Sequence, residues 1–353
     1  VTIDPSDDVL PRIRAEHVDA LAAGAVLLGS GGGGDVSVGR QLLRGLLRDR
    51  SIEMLPASVL APDTLVVHVG VVGGPDVISE RLVDPGDLAL AAQAVVGHLG
   101  GRLGAVGVIE IGGLNGLMGV LAAARLGVPV VDGDLMGRAF PLIDQTTLAV
   151  AGHPMTPMAL VSPAGDTVLV ATGSARTTQA LLTSTAVAMG GAAAVALYPT
   201  TAAVLNQVGV HGSLSACLAL GTAYLDPRAV DVRTMIDLLG GRLLFDGRVD
   251  EIRPRRGGEL GCVTLGDPVT GATARVDHKD EFLAVSCDGA TVTATPDVVV
   301  ALDPSNHTPL RTDQLRVGQP LVVFALPPLH DWPAEAAPVV GLARFGLDLE
   351  VTR

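Results

Sequence analysis

Residues 105–132 constrain this chain more than any other stretch. Residues 105–111 form a short apolar run of strand character. Residues 115–126 carry helical spacing that stops at Gly127, and Val128-Pro129-Val130-Val131-Asp132 returns to strand. Strand, helix and strand in fewer than 30 residues make a βαβ unit, which requires parallel pairing and a right-handed crossover. The fold class expected is therefore α/β.

The flanking segments extend that reading. Residues 15–28 fit an amphipathic helix entering the core, followed by Gly29-Ser30-Gly31-Gly32-Gly33-Gly34-Asp35. Residues 36–49 return to helix, with Leu42, Leu43, Leu46 and Leu47 on one face. A strand is expected over 64–70, running on to Pro75, and Asp84-Pro85-Gly86-Asp87 opens a helix reaching about His98. From 174 to 240 the chain is Ala-rich and reads as helical. After Arg242, short β-branched runs broken by Asp246-Gly247, Asp267-Pro268, Thr270-Gly271 and Asp288-Gly289 predict an all-β module. The expected division is an α/β N-terminal domain over 1–165, bearing the glycine loop and acidic motifs, and a C-terminal domain over 166–353, helical in 174–240 and β-rich in 241–353.

Composition removes several function classes. Hydrophobic residues make up 48% of the chain but aromatics only 2%, so the core is built from Ala, Val, Leu and Ile, and the stacking platforms of single-strand binders are lacking. A net charge of −13 disfavours phosphate backbones, so no nucleic-acid partner is expected. Cys217, Cys262 and Cys287 form no Cys-x-x-Cys pair, which fits a reducing, cytoplasmic setting, and Cys217 reads as a small core residue. Residues 1–8 lack the charged and apolar regions of a signal peptide. Residues 180–205 are uncharged and long enough to span a bilayer, but Gly190-Gly191 and Pro199 favour a buried helix, a turn and a second buried segment, so no membrane is expected. A homo-oligomer is expected, with the Ala-rich stretch 174–225 able to bury a partner helix.

Open parallel sheets bind ligands outside the carboxyl ends of their strands. Three such ends carry polar chemistry: Gly73-Gly74-Pro75-Asp76, Glu110-Ile111-Gly112-Gly113-Leu114-Asn115, and Asp132-Gly133-Asp134 followed by Arg138. Hydrolysis of a cyclic amide or amidine needs an activated water, a proton for the leaving atom and stabilised charge at the tetrahedral carbon. Glu110, Asp132 and Asp134 are candidates for base and acid, or for holding a divalent metal such as zinc that activates the water, with His153 as a further ligand. Arg138 and the backbone of Gly31, Gly32, Gly33 and Gly34 are candidates for stabilising negative charge, and Asn115 and Gly74 for touching substrate. The glycine run is neither a dinucleotide fingerprint, which must follow a strand, nor a P-loop, which needs Gly-Lys-Ser/Thr. It reads as flexible backbone at a helix N-terminus where a ligand can approach closely.

These motifs resemble one family. Leu28-Gly29-Ser30-Gly31-Gly32-Gly33-Gly34-Asp35, the segment from Glu110 to Asn115, and Val131-Asp132-Gly133-Asp134-Leu135-Met136-Gly137-Arg138-Ala139-Phe140-Pro141 are similar to motifs of the S-methyl thiohydantoin desulfurases. So are Asp280-Glu281-Phe282-Leu283, Thr295-Pro296-Asp297 and Arg344-Phe345-Gly346. The resemblance runs in order along nearly the whole chain. It implies an α/β N-terminal part, a C-terminal part with a β-rich swivelling module, and hydrolysis of a small five-membered heterocycle that releases methanethiol and leaves hydantoin. Carried onto this chain, Asp132, Asp134, Glu110, Asn115 and Arg138 become site residues. Two positions depart from the pattern: Leu142 stands where the family carries Glu, with Asp144 two residues on, and Gly73-Gly74-Pro75-Asp76 replaces Gly-Ala-Pro-Thr. Those departures bear on substrate choice. Alternative readings are a hydantoinase-like cyclic imide hydrolase and a non-catalytic ligand-binding partner of a hydantoinase system.

Overall fold

The computed structural model describes residues 12–80, 84–256 and 259–352. Its first part holds ten strands: β1 (Arg12–Ile13), β2 (Ile52–Leu55), β3 (Leu65–Gly73), β4 (Leu103–Val108), β5 (Val130–Val131), β6 (Gly133–Asp134), β7 (Met158–Val161), β8 (Thr167–Val170), β9 (Ala192–Thr201) and β10 (Val210–His211). The helices with them are α1 (Val18–Leu28), α2 (Ser37–Leu46), α3 (Pro75–Glu80), α4 (Pro85–Leu99), α5 (Asn115–Leu126), α6 (Thr147–Val150), α7 (Ala175–Ala188), α8 (Ala202–Val208), α9 (Ser213–Tyr224) and α10 (Val232–Leu238). Eight of the strands form one sheet in the order β1-β2-β5-β4-β3-β9-β7-β8. The stretch β2-β5-β4-β3 is parallel, with β4-α5-β5 as the βαβ unit expected from sequence, and β9, β7 and β8 continue it antiparallel.

Period-two alternation fills both faces of this sheet. Val67, Val69 and Val71 of β3, with Ala194 and Ala196 of β9, join the core under α1, α4 and α5. Val66 of β3, with Val195 and Leu197 of β9, joins a second core on the opposite face, covered by Leu182 of α7, Leu205 of α8 and the loop residues Leu135 and Phe140.

The helical reading of 174–240 is corrected here. Residues 192–201 are a ten-residue strand, β9, lying inside the first sheet between β3 and β7. A short continuous apolar run has no alternation to separate a doubly buried strand from a buried helix, and the alanines of β9 hide their strand character. The uncharged stretch 180–205 is thus a helix, a turn and a buried strand, and no helix among the described residues is long and apolar enough to cross a membrane. The helix α9 does bury a small-residue face, but against α1 of the same chain: a Cβ on Gly221 would lie 1.7 Å from the Ala20 carbonyl oxygen. Cys217 on α9 is buried, as expected, and donates to the Leu21 carbonyl at 3.3 Å.

The β-rich module comprises β11 (Arg242–Arg253), β12 (Gly261–Gly266), β13 (Thr273–His278), β14 (Phe282–Cys287), β15 (Ala290–Ala294), β16 (Val298–Asp303), β17 (Thr308–Leu310) and β18 (Pro320–Leu326), antiparallel in the order β15-β14-β13-β12-β11-β18-β16-β17. Thr270-Gly271 and Asp288-Gly289 make turns between strands. Asp246-Gly247 does not: it runs through the middle of β11, which pairs with β12 on one side and β18 on the other. Gly247 is needed for that close pairing rather than for a turn, since a Cβ there would come within 2.6 Å of the Gly266 carbonyl oxygen.

Candidate active site

The glycine loop is where the two parts of the molecule meet. Ser30 Oγ donates to the Val299 carbonyl at 2.9 Å and accepts from its N–H at 3.1 Å. The Phe282 N–H donates to the Ser30 carbonyl at 2.7 Å, and the Thr312 N–H to the Gly31 carbonyl at 2.9 Å. Side chains are excluded for steric reasons. A Cβ on Gly31 would lie 2.3 Å from the Phe282 ring, and one on Gly32 would lie 2.3 Å from a Glu281 carboxylate oxygen. Gly33 has φ +73° and would press 2.8 Å against the Gly113 backbone. Gly31, Gly32 and Gly33 therefore admit the β-rich module and the Glu110–Asn115 turn to one loop. Together these elements enclose a cavity of about 750 Å³.

Glu110 lines that cavity at the carboxyl end of β4. Asn115, the first residue of α5, donates from Nδ2 to Glu110 Oε1 at 2.6 Å and is itself fixed by Val71, whose N–H donates to Asn115 Oδ1 at 2.7 Å. The second Glu110 oxygen accepts from the Phe140 N–H at 3.3 Å. Burial pushes the Glu110 carboxyl up to about 7; the Asn115 and Phe140 hydrogen bonds oppose that rise, as does the Arg138 charge, while the Asp134 charge adds to it.

Glu281, between β13 and β14, enters the same cavity from the β-rich module. It is 4% exposed, and its Oε2 has no hydrogen-bond partner among the described residues. Burial, then the neighbouring charges of Asp280 and Glu110, push its carboxyl up to about 8. Glu281 is not among the site residues expected from sequence, because it lies in a connection between antiparallel strands rather than at the end of a parallel one. The available signal was an acidic pair, Asp280-Glu281, directly before the apolar strand that starts at Phe282.

The other acidic candidates are placed differently. Asp134 is buried, and its Oδ2 accepts the N–H groups of Ile111 (2.9 Å), Met136 (3.1 Å) and Gly137 (2.9 Å), so it braces the turn that carries Glu110. Burial raises its carboxyl to about 6 against those three bonds. Asp132 accepts from Ser215 N–H at 3.1 Å and Ser215 Oγ at 2.6 Å, fastening the first turn of α9. Neither lines the cavity.

Arg138 is also fully buried away from the cavity. Its guanidinium donates to the carbonyls of Ala139 (3.0 Å), Phe282 (2.9 Å) and Asp297, and it lies 5.2 Å from the Phe140 ring centroid. It ties the acidic block to the β-rich module, and burial lowers its basicity to about 10. It is not among the residues that line the cavity, but its charge acts on both Glu110 and Glu281. Asn115 and residues 31–34 do line the cavity; Gly73 does, whereas Gly74 instead donates its N–H to the Gly191 carbonyl at 3.0 Å.

The proposed metal ligands are not brought together. His153 is partly exposed, its N–H bonded to the Leu148 carbonyl, and the described residues contain no group of three or more His, Cys, Asp or Glu placed to hold a metal ion. Both Asp132 oxygens accept from Ser215 and Asp134 Oδ2 accepts from three amides, while Asp134 Oδ1 has no partner among the described residues. Of the two departures, Leu142 does not line the cavity, although Pro141 and Ile143 beside it do. Asp144 accepts from Arg344 Nη2 at 2.8 Å, joining the acidic block to the Arg344-Phe345-Gly346 motif. The side chain of Asp76 lies outside the described residues.

The glycine loop, the Glu110–Asn115 turn, part of the acidic block (Met136, Phe140 and Pro141) and Asp280–Glu281 line one cavity. The S-Me-THD-like N-terminal domain matches residues 16–172 and the S-Me-THD-like C-terminal domain matches residues 173–353. The chain belongs to the S-Me-THD-like family. In the fold the two matched segments share the first sheet, because β9 of the second segment sits between β3 and β7 of the first. A protein from Chromobacterium violaceum, solved by X-ray crystallography, has the same fold: 24% identity, 97% of this chain and 99% of that one covered, TM-score 0.79. No curated protein sequence matches the chain significantly.

Proposed function

We propose that the chain is a hydrolase of S-methyl thiohydantoins, with Glu110 as general base and Glu281 as general acid. The observation that carries this reading is the pair of carboxyls, one from each part of the molecule, that line one cavity and are both pushed far above the ordinary carboxylate range. Environments that separate two such groups around neutral pH assign one to each protonation state. Both carboxyls are held partly protonated around neutral pH, and Glu281, raised the further of the two by burial and by the charges of Asp280 and Glu110, is the better proton donor.

Ionised Glu110, aimed by Asn115, removes a proton from water as its oxygen bonds to the ring carbon bearing sulfur. The carbon–nitrogen double bond opens and the electron pair goes to the ring nitrogen. Glu281 gives its proton to the sulfur as the carbon–sulfur bond breaks. As the water oxygen becomes the new carbonyl, its remaining proton passes to the ring nitrogen, methanethiol and hydantoin leave, and the proton held by Glu110 returns through solvent to Glu281. Gly31–Gly34 line the same cavity as the two carboxyls. Family membership supports this reaction.

The test is thiol release followed with a thiol-reactive dye, on wild type and Glu110→Gln. Release by wild type and its loss in the variant supports the assignment. Absence of thiol from folded wild type would overturn it; ring opening of hydantoin itself in the same sample would move the chemistry to carbon–nitrogen cleavage.

A further inference from the structure

Each sheet of this molecule has two edges, and three of the four edges are blunted. A free edge presents unpaired N–H and C=O groups to any other chain, so natural sheets shorten it, charge it, place proline in it or cover it. In the first sheet, β1 is two residues long and carries exposed Arg12. In the β-rich sheet, β17 is three residues long with Pro309 at its centre, and β15 is met by Thr352, whose N–H donates to the Thr291 carbonyl at 2.8 Å. The fourth edge is β8. Its residues, Thr167-Val168-Leu169-Val170, carry neither charge nor proline and pair with β7 without a register shift. Among the described residues nothing pairs with its outer side.

Both faces of that edge are apolar and open. Exposed Val168 stands on the α7 side of the sheet with its cross-strand partner Leu160, and exposed Leu169 stands on the α4 side with Ala159. The helices α7 and α4 both pack against β8. Gln179 of α7 lines the cavity, and at ~3.6 residues per turn Leu181 projects from the opposite flank. Thr177, Ser184 and Ala188 follow Leu181 at helical spacing, and all four are exposed. Exposed Val187 stands near them, and Leu90 is exposed on α4. From Thr167 to Leu225 the only Asp, Glu, Lys or Arg is Arg176, in a chain that is 17% charged.

We propose that this edge is where two copies of the chain meet, β8 pairing antiparallel with β8 of the second copy about a two-fold axis perpendicular to the sheet. That axis joins the two sheets into one, sets α7 against α7 on one face, and brings the α4 faces to the same side on the other. Each face keeps its own side, so Val168 or Leu169 meets its own counterpart at the axis. Three observations select a second copy. An extended peptide would satisfy the strand edge but leave the side chains of α7 and α4 in water, whereas a second copy brings a strand and both helices at matching heights. Two chains of net charge −13 repel each other, and here they touch through an uncharged strand; Asp166, at the hairpin turn, is held within that turn by Ser162 Oγ at 3.0 Å. A helix about 20 Å long and three layers about 10 Å each present roughly 600 Å² in projection, the scale of the ~800 Å² per partner that a specific interface buries.

The test is mass in solution by sedimentation equilibrium, over about 0.1–50 μM, on wild type, Leu169→Lys, Leu181→Lys and the control Val269→Lys in the β12–β13 connection. Wild type and the control should have twice the chain mass. In the other two variants the axis sets like charges together, and the dimer dissociation constant should rise by at least about a hundredfold, with far-UV circular dichroism unchanged. Hydrogen exchange on wild type needs no variant: the amides of 167–170 should exchange at least about tenfold more slowly at the highest concentration than at the lowest. A monomer throughout overturns the proposal; if that monomer sediments with phosphatidylcholine vesicles, the surface belongs to lipid instead. A dimer that both lysine variants leave intact, or whose β8 amides exchange alike at the two concentrations, has its interface elsewhere and overturns the proposal as well.

Discussion

Two pairs of carboxylates stand within the motifs of this chain, and they do opposite work. Asp132 and Asp134 accept five hydrogen bonds between them, four from backbone amides and one from the Ser215 hydroxyl, and neither touches the cavity. Glu110 and Glu281 both line the cavity; a buried oxygen without a hydrogen-bond partner among the described residues is found in each pair, Oδ1 of Asp134 and Oε2 of Glu281. A carboxylate bound by several fixed donors holds a loop in place. One that is desolvated and sparsely bonded can exchange a proton near neutral pH. Asp132 and Asp134 of the acidic block brace backbone turns, and the carboxyls proposed to react come from the end of β4 and the β13–β14 connection.

The contrast can be broken most severely at Glu110. Glu110→Gln should lower kcat for thiol release by roughly 10²–10⁴, the ordinary worth of a general base, while the melting temperature holds or rises because a buried ionisable group is gone. A variant that keeps its turnover would dissolve the distinction. The converse substitution, Asp134→Ala, strips the partner from three amides. It should cost about 3 kcal/mol or more of stability, read by denaturant unfolding, while kcat of the folded fraction falls less than about tenfold.

The pH dependence of stability separates the pairs without mutation. Folding raises Glu110 from 4.5 to about 7 and Glu281 from 4.5 to about 8, so the folded state binds more protons than the unfolded one in that range. Stability is thus fully present below about 4.5 and is lost as pH climbs through 7 and 8. Two other groups act mainly below that window. Asp134, raised from 3.8 to about 6, acts in the same sense and adds little above about pH 6.5, and buried His68, lowered from 6.5 to about 4, removes stability as pH falls through that range and offsets only a small part of the slope above pH 6.5. Between pH 6.5 and 8 the cavity pair should therefore lower stability by on the order of 2 kcal/mol, and Glu281→Gln should remove most of the slope. The smallest effect is expected at Ser215→Ala, which takes the hydroxyl from Asp132: about 1 kcal/mol of stability and no change in KM.

Much of this was legible in the sequence. Helical spacing and a glycine stop placed α5 at 115–126, and Glu110 and Asn115 fell at a strand end and a helix start, where an open sheet presents its ligands. Three things were hidden. The strand β9 has no alternation to display because both its faces are buried and its first three residues are alanine. Hydrogen bonds from Ile111, Met136 and Gly137 to Asp134 depend on how the backbone folds back, which residue identity does not reveal. Glu281 reaches the cavity only because the β-rich module docks on the glycine loop through Ser30 and Phe282, a contact more than 250 residues apart along the chain. The glycine run signalled close approach correctly; what approaches includes the chain's own Phe282 and Glu281.

The most direct test of the division between bracing and reacting carboxylates is the pH dependence of kcat/KM for thiol release, measured from pH 5.5 to 9.5 on wild type, Glu110→Gln and Glu281→Gln. The account predicts a narrow bell with its limbs at about 7 and about 8, the acid limb missing in the first variant and the alkaline limb missing in the second. A flat wild-type profile, or limbs that survive both substitutions, would contradict it.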